Sequence, residues 1–390
     1  MNVEVDYLVI GGGAMGSATA YSLAATGHEV LLLERFGAGH SEGASHGTTR
    51  NFNPAYVEPP YIELLRRSHK LWNEISVASG TKLLTRTGLV NHGIVNEQRE
   101  MHRFLKAAGF ASELLSARDA KARFGGMEFE TETLFIPAGG QINADLSVES
   151  LQKLATSFGA TIEHEQTVLS LEVIVSQRVH VRTRSTQGDR QIIARHVIVT
   201  VGAWTHQLLN GQLELPRIHV TEEHPVHFPQ FNSTDTWPGF NHILSPSRSS
   251  SKIFGPIYGM HTPGEGIKIG WHGAGKVVDP DQRPHAVDPE HIEALQNYAS
   301  QWLPGVNTER YQSVSCTYAN TGDENFILDR FGPITVGAGF SGHGFKFVPA
   351  IGEHLAQLAT GTQKVNPFFA ASRNIARPVF LERRQELGIS

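Results

Sequence analysis

Three glycines near the start of the chain have the spacing of a phosphate-binding turn. Gly11, Gly13 and Gly16 follow directly on an apolar run that ends at Ile10. In such a turn the first glycine permits the tight bend and the second lets the backbone approach a pyrophosphate. The third lets the next helix pack close to the strand, and the N-terminus of that helix offers N–H groups to the phosphates. The spacing therefore predicts a dinucleotide site.

The elements needed to position these glycines are present on both sides. Residues 7–10 and 30–33 are apolar and predict strands, and residues 17–26 between them predict a helix that Gly27 ends. Glu34 ends the second strand, where a carboxylate can accept hydrogen bonds from ribose hydroxyls. An acid there disfavours the 2′-phosphate of NADP, so FAD and NAD remain open on these residues.

A few other side chains could take part in redox or nucleophilic chemistry. By themselves they also fit plain structural interpretations. The cysteine can be a small buried apolar residue. A lysine can simply place its ammonium in solvent, and so can the polar residues of a loop. These side chains are the single Cys316, Lys268 in the strand-like segment 266–271, His46 and Arg50 in the polar loop 37–50, and Lys346 in the glycine-rich turn 337–347.

Composition excludes several classes of protein. A net charge of −5 leaves no basic footprint for nucleic acid, and one cysteine cannot form an internal disulfide. No apolar run approaches the length of a transmembrane helix, and the first strand begins too close to Met1 for a signal peptide. We therefore expect a cytoplasmic protein with no membrane or nucleic-acid partner.

The order of the predicted elements indicates two domains. The chain opens in an α/β style and changes at about residue 218 to strands separated by proline- and glycine-rich loops, which predict an antiparallel sheet. The last part returns to the first style. We predict an α/β fold in which a Rossmann-like domain of residues 1–84, 142–217 and 318–390 carries an inserted antiparallel-sheet (α+β) substrate domain of residues 85–141 and 218–317.

Two local predictions belong to this scheme. Residues 85–94 alternate like one strand, and Asp145 or Ser147 can cap a helix that runs to about Phe158.

Six segments of the chain resemble one known family. In order they are GGGAMG, SHGTTR, VGAWT, GIKIGWH, SCTYANTGDENFILD and GFSGHGFKF, and together they run nearly from end to end. They resemble the monomeric sarcosine oxidase and N-methyltryptophan oxidase group, which are FAD-dependent amine oxidases of the D-amino-acid-oxidase-like superfamily. The resemblance favours FAD over NAD. It implies oxidation of a secondary amine by O2 to an imine, then an aldehyde and a free amine, with H2O2 as the other product.

The resemblance also implies roles for individual residues. It assigns Cys316 to a covalent thioether with FAD, Lys268 to the reaction with O2, and His46 and Arg50 to the surroundings of the flavin ring. It places His272 in the active site and makes Tyr318 a wall of the substrate pocket. It has Lys346 bind the substrate carboxylate and also contact the edge of the flavin. Further FAD contacts are expected from Gly11, Gly13, Ala14, Met15, Gly16, Glu34, Arg35, Ser45, Thr49, Val168, Gly202, Trp204, Gly342, Gly344 and Phe345. No metal is expected.

The chain departs from the family pattern at two substrate positions. An arginine that clamps the substrate carboxylate in the sarcosine group is replaced by Asn53, which Pro54 follows. The tyrosine expected before Gly255 is Phe254. A neutral amide cannot replace the charge-assisted bonds of a guanidinium. We therefore predict a monomeric oxidase of an N-substituted amino acid that is bulkier than sarcosine.

Other functions remain open on the sequence. The main one is oxidation of a fructosyl amino acid, which is the same C–N chemistry on a glycated amine. An imino-acid oxidase or dehydrogenase is a further alternative. A flavin-binding protein without turnover is the alternative outside enzymes, and the joint presence of Cys316, Lys268 and Lys346 argues against it because catalysis is what requires all three.

Overall fold

The computed structural model describes residues 2–174, 178–209, 211–244, 254–375 and 378–386. Its strands, numbered along the chain, are β1 (Asn2–Ile10), β2 (Val30–Leu33), β3 (Arg50–Phe52), β4 (Leu84–Thr85), β5 (Leu89–His92), β6 (Glu113–Leu115), β7 (Thr133–Ile136), β8 (Gly140–Ile142), β9 (Thr161–Glu163), β10 (Thr167–Ile174), β11 (Arg178–Ser185), β12 (Gly188–Val199), β13 (Ile218–Glu223), β14 (Val226–Phe228), β15 (Gly239–His242), β16 (Ile257–Thr262), β17 (Gly266–Trp271), β18 (Lys276–Val277), β19 (Gln312–Ser313), β20 (Cys316–Thr321), β21 (Ile327–Phe331) and β22 (Ile334–Ala338).

The helices are numbered in the same way. They are α1 (Ala14–Ala25), α2 (Pro59–Ser79), α3 (Val95–Ala107), α4 (Ala117–Arg123), α5 (Ala144–Ser157), α6 (Thr205–Leu209), α7 (Pro289–Trp302), α8 (Val348–Thr360) and α9 (Val379–Glu386). None of the helices in the described ranges is both long and apolar enough to cross a bilayer.

The first large sheet has a parallel centre. β1 lies between β12 and β2, β2 continues to β9, and β12 also pairs with β22, all in parallel. The antiparallel strands β10 and β11 extend one side. Strands buried on both faces are apolar throughout, and all four residues of β2 are buried. Helix α1 packs against α5 and α8 on this sheet. The predicted strand–helix–strand unit at the start of the chain is confirmed.

The second large sheet has the order β19-β14-β17-β16-β15-β5-β7-β6. Every pair in it is antiparallel except β5 with β15, which is parallel. Its apolar core includes Phe228, Phe240 and Ile269, and helix α7 covers it with Leu295 and Trp302. The prediction of an antiparallel sheet is confirmed apart from that one parallel pair.

Two small three-stranded sheets lie outside these layers, one of β18, β13 and β20 and one of β3, β8 and β4. The predicted division between residues 317 and 318 falls inside β20, whose residues form one continuous strand.

Two local predictions need correction, although the helix predicted to run to about Phe158 is confirmed as α5. Residues 85–94 form two strands in different sheets, because the chain turns at Gly88 with φ +75°. The cap of α5 is Asn143, whose side chain accepts from the Leu146 N–H at 2.9 Å. Asp145 instead accepts from the Gly47 N–H at 2.8 Å, so its carboxylate holds the loop that carries His46.

Candidate active site

A cavity of about 1300 Å³ is lined by residues from both large sheets. Ligand pockets are commonly about 300–1,000 Å³, so this one has room for a large cofactor and a small substrate together. All of the predicted site residues line it except Gly16 and Phe254. Those on its wall are Gly11, Gly13, Ala14, Met15, Glu34, Arg35, Ser45, His46, Thr49, Arg50, Asn53, Val168, Gly202, Trp204, Lys268, His272, Cys316, Tyr318, Gly342, Gly344, Phe345 and Lys346.

The glycine turn has the close packing that the sequence predicts. Gly11 has φ +100°, which only glycine adopts readily. Gly16 lies behind the turn, where a Cβ would be 1.8 Å from the Gly11 carbonyl oxygen. The Ala14 N–H, at the N-terminus of α1, donates to the Ser45 hydroxyl at 2.9 Å. The backbone at this end of the cavity is therefore shaped for phosphates.

Two backbone N–H groups fix the carboxylate of Glu34, the residue predicted to bind a ribose. Its carboxylate accepts from the Gly12 N–H at 2.6 Å and from the Phe36 N–H at 2.9 Å. Each oxygen of a carboxylate has a second acceptor site, so the group can still meet a ribose hydroxyl. Beside it, Asp281 accepts from Arg35 at 2.7 Å and from the Trp204 indole at 2.8 Å. These contacts support the edge of the cavity next to the acid.

Arg50 carries a positive charge that carbonyl groups hold in place. Its guanidinium donates to the carbonyls of Thr49 at 2.9 Å, Ala44 at 3.0 Å and His46 at 2.6 Å. Over the described ranges no carboxylate forms an ion pair with it. An arginine fixed by neutral acceptors keeps its charge available to an electron-rich ligand.

Lys268 and His46 lie close to this arginine. The Lys268 ammonium donates to the Thr49 carbonyl at 3.3 Å, and the residue is 7% exposed. Burial, and after it the charge of Arg50, lowers the pKa of Lys268 to about 7. Burial followed by Arg50 also lowers the pKa of His46 to about 4, so this imidazole is neutral at pH 7. His46 Nε2 is buried and has no hydrogen-bond partner among the described residues.

Cys316 is buried at the start of β20 and its side chain faces the same cavity. The nearest acceptor of its thiol is the Thr317 carbonyl at 3.8 Å. In the sheet register it lies opposite Glu223, which is fully buried and whose pKa burial raises to about 7. The thiol is therefore on the cavity wall rather than inside an apolar core.

Lys346 brings a second ammonium into the cavity. It donates to the His343 carbonyl at 2.7 Å and to the Tyr56 hydroxyl at 3.1 Å, and that hydroxyl lies 2.9 Å from His343 Nδ1. Burial lowers the pKa of Lys346 to about 7. In the part of the chain that the structure describes, no carboxylate neutralises it, and an anionic ligand would restore its charge.

Aromatic residues form another part of the wall. The ring of His272 lies 5.5 Å from that of Tyr318, and a hydrogen bond joins the Tyr318 and Tyr258 hydroxyls. Burial raises the pKa of both tyrosines, so both hydroxyls stay protonated. Tyr258 was missed in the sequence, because a tyrosine within a strand reads as an ordinary core residue. Tyr56 was missed because it follows Pro54 in a loop.

Phe254 does not have the predicted position. It is 5% exposed and packs against Trp271 at 5.8 Å and His291 at 4.1 Å, away from the cavity. An apolar ring gains more from this core than from a polar cavity wall. Asn53 does line the cavity, but its Oδ1 accepts from the Ala55 N–H at 2.9 Å. Its amide therefore supports the local turn.

The site fits a flavin dinucleotide on several independent features. The close-packed glycine turn, the anchored acid and the free space fit the dinucleotide, and the carbonyl-held Arg50 fits an electron-rich ring. The fold and the site together define a dinucleotide-binding oxidoreductase.

The chain belongs to the FAD-dependent oxidoreductase family, whose sequence profile matches residues 6–358. It is 31% identical over 373 residues to the monomeric sarcosine oxidase of Bacillus sp. strain NS-129, covering 92% of this chain and 94% of that protein. It is 27% identical over 387 residues to the N-methyl-L-tryptophan oxidase of Yersinia pestis strain Pestoides F, covering 96% and 100%. The resemblance that the six segments indicate is confirmed, and with it the assignment to amine-oxidising flavoproteins.

A solved structure supports the fold. NikD, described as an unusual amino acid oxidase essential for nikkomycin biosynthesis, matches with a TM-score of 0.83 at 24% identity, over 96% of this chain and 99% of that one.

Proposed function

We propose that the protein oxidises the C–N bond of an N-substituted amino acid bulkier than sarcosine, with O2 as the electron acceptor. The amine loses two electrons and two protons to become an imine, which water converts to an aldehyde and a free amine, and O2 takes up the electrons and protons as H2O2. FAD, when bound, supplies the two-electron chemistry that links oxidation of the amine to reduction of O2. The observation that carries the proposal is the buried Lys346 ammonium, which has no carboxylate partner among the described residues.

Lys346 is suited to hold the substrate carboxylate. A buried ammonium that loses charge through desolvation gains most from a charged ligand. Tyr56 and the His343 carbonyl fix the position of its nitrogen, so a carboxylate bound there has one direction of approach. This contact would orient the amine relative to the rest of the cavity.

Lys268 and Arg50 are suited to the electron-transfer half of the reaction. The first electron given to O2 produces a negative charge, and a fixed ammonium in a site shielded from water stabilises it. The Arg50 guanidinium, held by three carbonyls, would stabilise negative charge on a reduced ring.

Covalent attachment of FAD through Cys316 belongs to the same proposal. A thiolate is the nucleophile that such a bond requires, and this thiol lies on the cavity wall near the charge of Lys268. The Cys316→Ala protein should lose its yellow colour on acid precipitation, whereas the unmodified protein should stay yellow and exceed its polypeptide mass by one FAD. Acid-stable flavin in the variant would rule out this attachment.

The reaction is tested with purified holoprotein and a panel of amines. Anaerobic bleaching by a secondary amine, followed by recolouring and H2O2 release in air, would support the oxidase. The panel contains sarcosine, N-methyltryptophan, pipecolate and fructosyl-valine. Pipecolate or fructosyl-valine as the best substrate would favour the imino-acid or fructosyl-amino-acid alternative. If the bleached flavin recolours only with an artificial electron acceptor and not with O2, the protein is a dehydrogenase. If no amine bleaches the flavin, the protein binds flavin without turnover.

A further inference from the structure

Two asparagines form a pair on the cavity face of the second large sheet. Asn91 on β5 and Asn241 on β15 are register partners in the parallel pair of that sheet. The Asn241 Nδ2 donates to the Asn91 Oδ1 at 2.7 Å, and both side chains line the cavity. The following residues, His92 and His242, point to the other side of the sheet and are buried in its core. The strand alternation therefore directs the amides to the ligand side.

The pair leaves a donor and an acceptor side by side. Among the described residues, the Asn91 NH2 group and the Asn241 carbonyl oxygen take part in no further hydrogen bond, and both residues are only partly exposed. A polar group next to a cavity that loses water on ligand binding destabilises the complex unless the ligand satisfies it. These amides therefore favour a ligand group that can both accept and donate.

A third amide lies along the same wall. The Asn51 Oδ1 is buried and has no hydrogen-bond partner among the described residues. It lies 3.1 Å from where a Cβ on Gly239 would be, and Gly239 is two residues before Asn241 on the same face of β15. The Leu89 Cδ1 lies 3.2 Å from the same point, so Asn51 and Leu89 together cover Gly239. Asn51, Asn91 and Asn241 all line the cavity, and the part of the wall that they form is called the polar recess.

The recess differs in charge from the site of Lys346. Its amides are neutral, whereas the Tyr258 hydroxyl lies on the far side of β16, over Gly270 of β17, where it bonds to Tyr318. Glu97 also lines the cavity but is exposed to solvent on α3. A neutral hydrogen-bonding group matches this recess better than a charged or an aliphatic one.

We infer that the Asn91–Asn241 pair binds a hydroxyl or carboxamide on the substituent of the substrate that extends away from its carboxylate. The inference rests on the proposed function for the class of ligand, a carboxylate with a substituent, and not on the oxidation itself. A site built to hydrogen-bond a polar group rejects the apolar analogue strongly, because its own polar groups would then be buried unpaired.

Binding can be measured with ligands that cannot be oxidised as amines. (2-Hydroxyethylthio)acetate and (propylthio)acetate share a carboxylate and a thioether and have equal numbers of heavy atoms, but only the first ends in a hydroxyl. Titration calorimetry on the FAD-loaded protein should give a dissociation constant at least about tenfold lower for the hydroxyl ligand. Asn241→Leu should remove that preference by weakening only the hydroxyl ligand.

Two further variants keep the outcome interpretable. Asn91→Leu removes the other half of the pair and should act in the same direction, which covers the case in which Asn241→Leu does not fold. Asn73→Leu makes the same chemical change on the exposed side of α2 and should leave both dissociation constants unchanged. Flavin absorbance per protein shows whether each variant keeps its cofactor.

The result separates the two proposals. Equal binding of the two ligands to the unmodified protein, or an unchanged ratio in a folded Asn91→Leu or Asn241→Leu variant, would overturn the recognition role. Anaerobic bleaching by N-(2-hydroxyethyl)glycine and the amine panel tests the reaction separately. A protein that binds the thioethers with the expected preference but that no amine bleaches would keep the inference and refute the proposed oxidase.

Discussion

Lys268 and Lys346 both bring an ammonium group into the cavity, and burial lowers the pKa of each to about 7. Their contacts differ. Lys268 donates to the Thr49 carbonyl, next to Arg50, whereas Lys346 donates to Tyr56 and to the His343 carbonyl. Two cations with separate supports can therefore serve two different negative charges, one on the oxygen being reduced and one on the substrate.

Lys268→Met should slow reoxidation by O2 and leave reduction by substrate largely unchanged. Losing one preorganised charge costs about 3–5 kcal/mol in the transition state, which is about two to four powers of ten in rate. Stopped-flow absorbance resolves the two half-reactions. Lys364→Met, which removes a charge from an exposed lysine, is the matched control. Reoxidation at the same rate in Lys268→Met and in the control would exclude the role.

Asn53 leads us to expect that sarcosine is a poor substrate. Its Oδ1 accepts from the Ala55 N–H, so the amide has only part of its hydrogen-bonding capacity left for a carboxylate. A missing charge-assisted pair costs about 1.5–3 kcal/mol, or about ten- to a hundredfold in kcat/KM. We expect that deficit for sarcosine relative to the best bulkier amine. A clear preference for sarcosine in the unmodified protein would contradict this expectation.

Asn53→Arg should recover part of the deficit by adding a cation to the cavity wall. The gain is limited because the substitution also removes the hydrogen bond to Ala55 that supports the turn after Pro54. Asn53→Gln, which changes length but not charge, is the matched control. If both variants raise kcat/KM for sarcosine equally, charge is not the cause.

At the scale of elements, the contact of β1 with α1 determines the phosphate end of the cavity. A Cβ on Gly16 would be 1.8 Å from the Gly11 carbonyl oxygen and 2.6 Å from the Thr200 hydroxyl. Gly16→Ala must therefore move the helix away from the strand, and overpacking of this kind costs about 1–3 kcal/mol. We expect a lower urea midpoint and less bound flavin per protein.

Gly125→Ala is the control for that change. A Cβ at this position would meet nothing within 4 Å, and the residue is outside the cavity. Its urea midpoint and flavin content should equal those of the unmodified protein. If Gly16→Ala also has an unchanged urea midpoint and flavin content, the close approach of α1 to the strand is not what maintains the glycine turn.

At the scale of the whole molecule, buried neutral histidines make the fold sensitive to acid. Burial lowers the pKa of His196 and of His242 to about 3 and holds that of His92 well below its ordinary value. The His92 and His242 rings stack with centroids 3.8 Å apart, so protonation would place positive charge on adjacent buried rings. The unfolded chain binds these protons first, and stability therefore falls as the pH drops below about 6.5.

His242→Asn should reduce this loss. One histidine whose pKa falls this far on folding contributes up to about 1.4 kcal/mol per pH unit below its ordinary pKa. Between pH 6.5 and 5 the variant should lose about 2 kcal/mol less unfolding free energy than the unmodified protein, as measured by urea denaturation. His285→Asn, at an exposed position, should keep the original pH dependence. Parallel pH profiles for all three proteins would refute the explanation.

The sequence by itself determined the features that depend on neighbours along the chain. The glycine turn, the strand before it and the helix after it follow from backbone preferences and apolar periodicity over about thirty residues. Six ordered segments identified the family, and with it the predicted residues that lie on the cavity wall.

Only the tertiary structure decided which distant side chains meet. Lys346 contacts Tyr56 across 290 positions, and Asn241 contacts Asn91 across 150 positions through a parallel pair within an otherwise antiparallel sheet. Such contacts depend on strand order and register, which local periodicity does not encode. For the same reason Phe254 was assigned to the substrate when it belongs to the core under α7. A phenylalanine fits either environment, and only the packing of the second sheet distinguishes them.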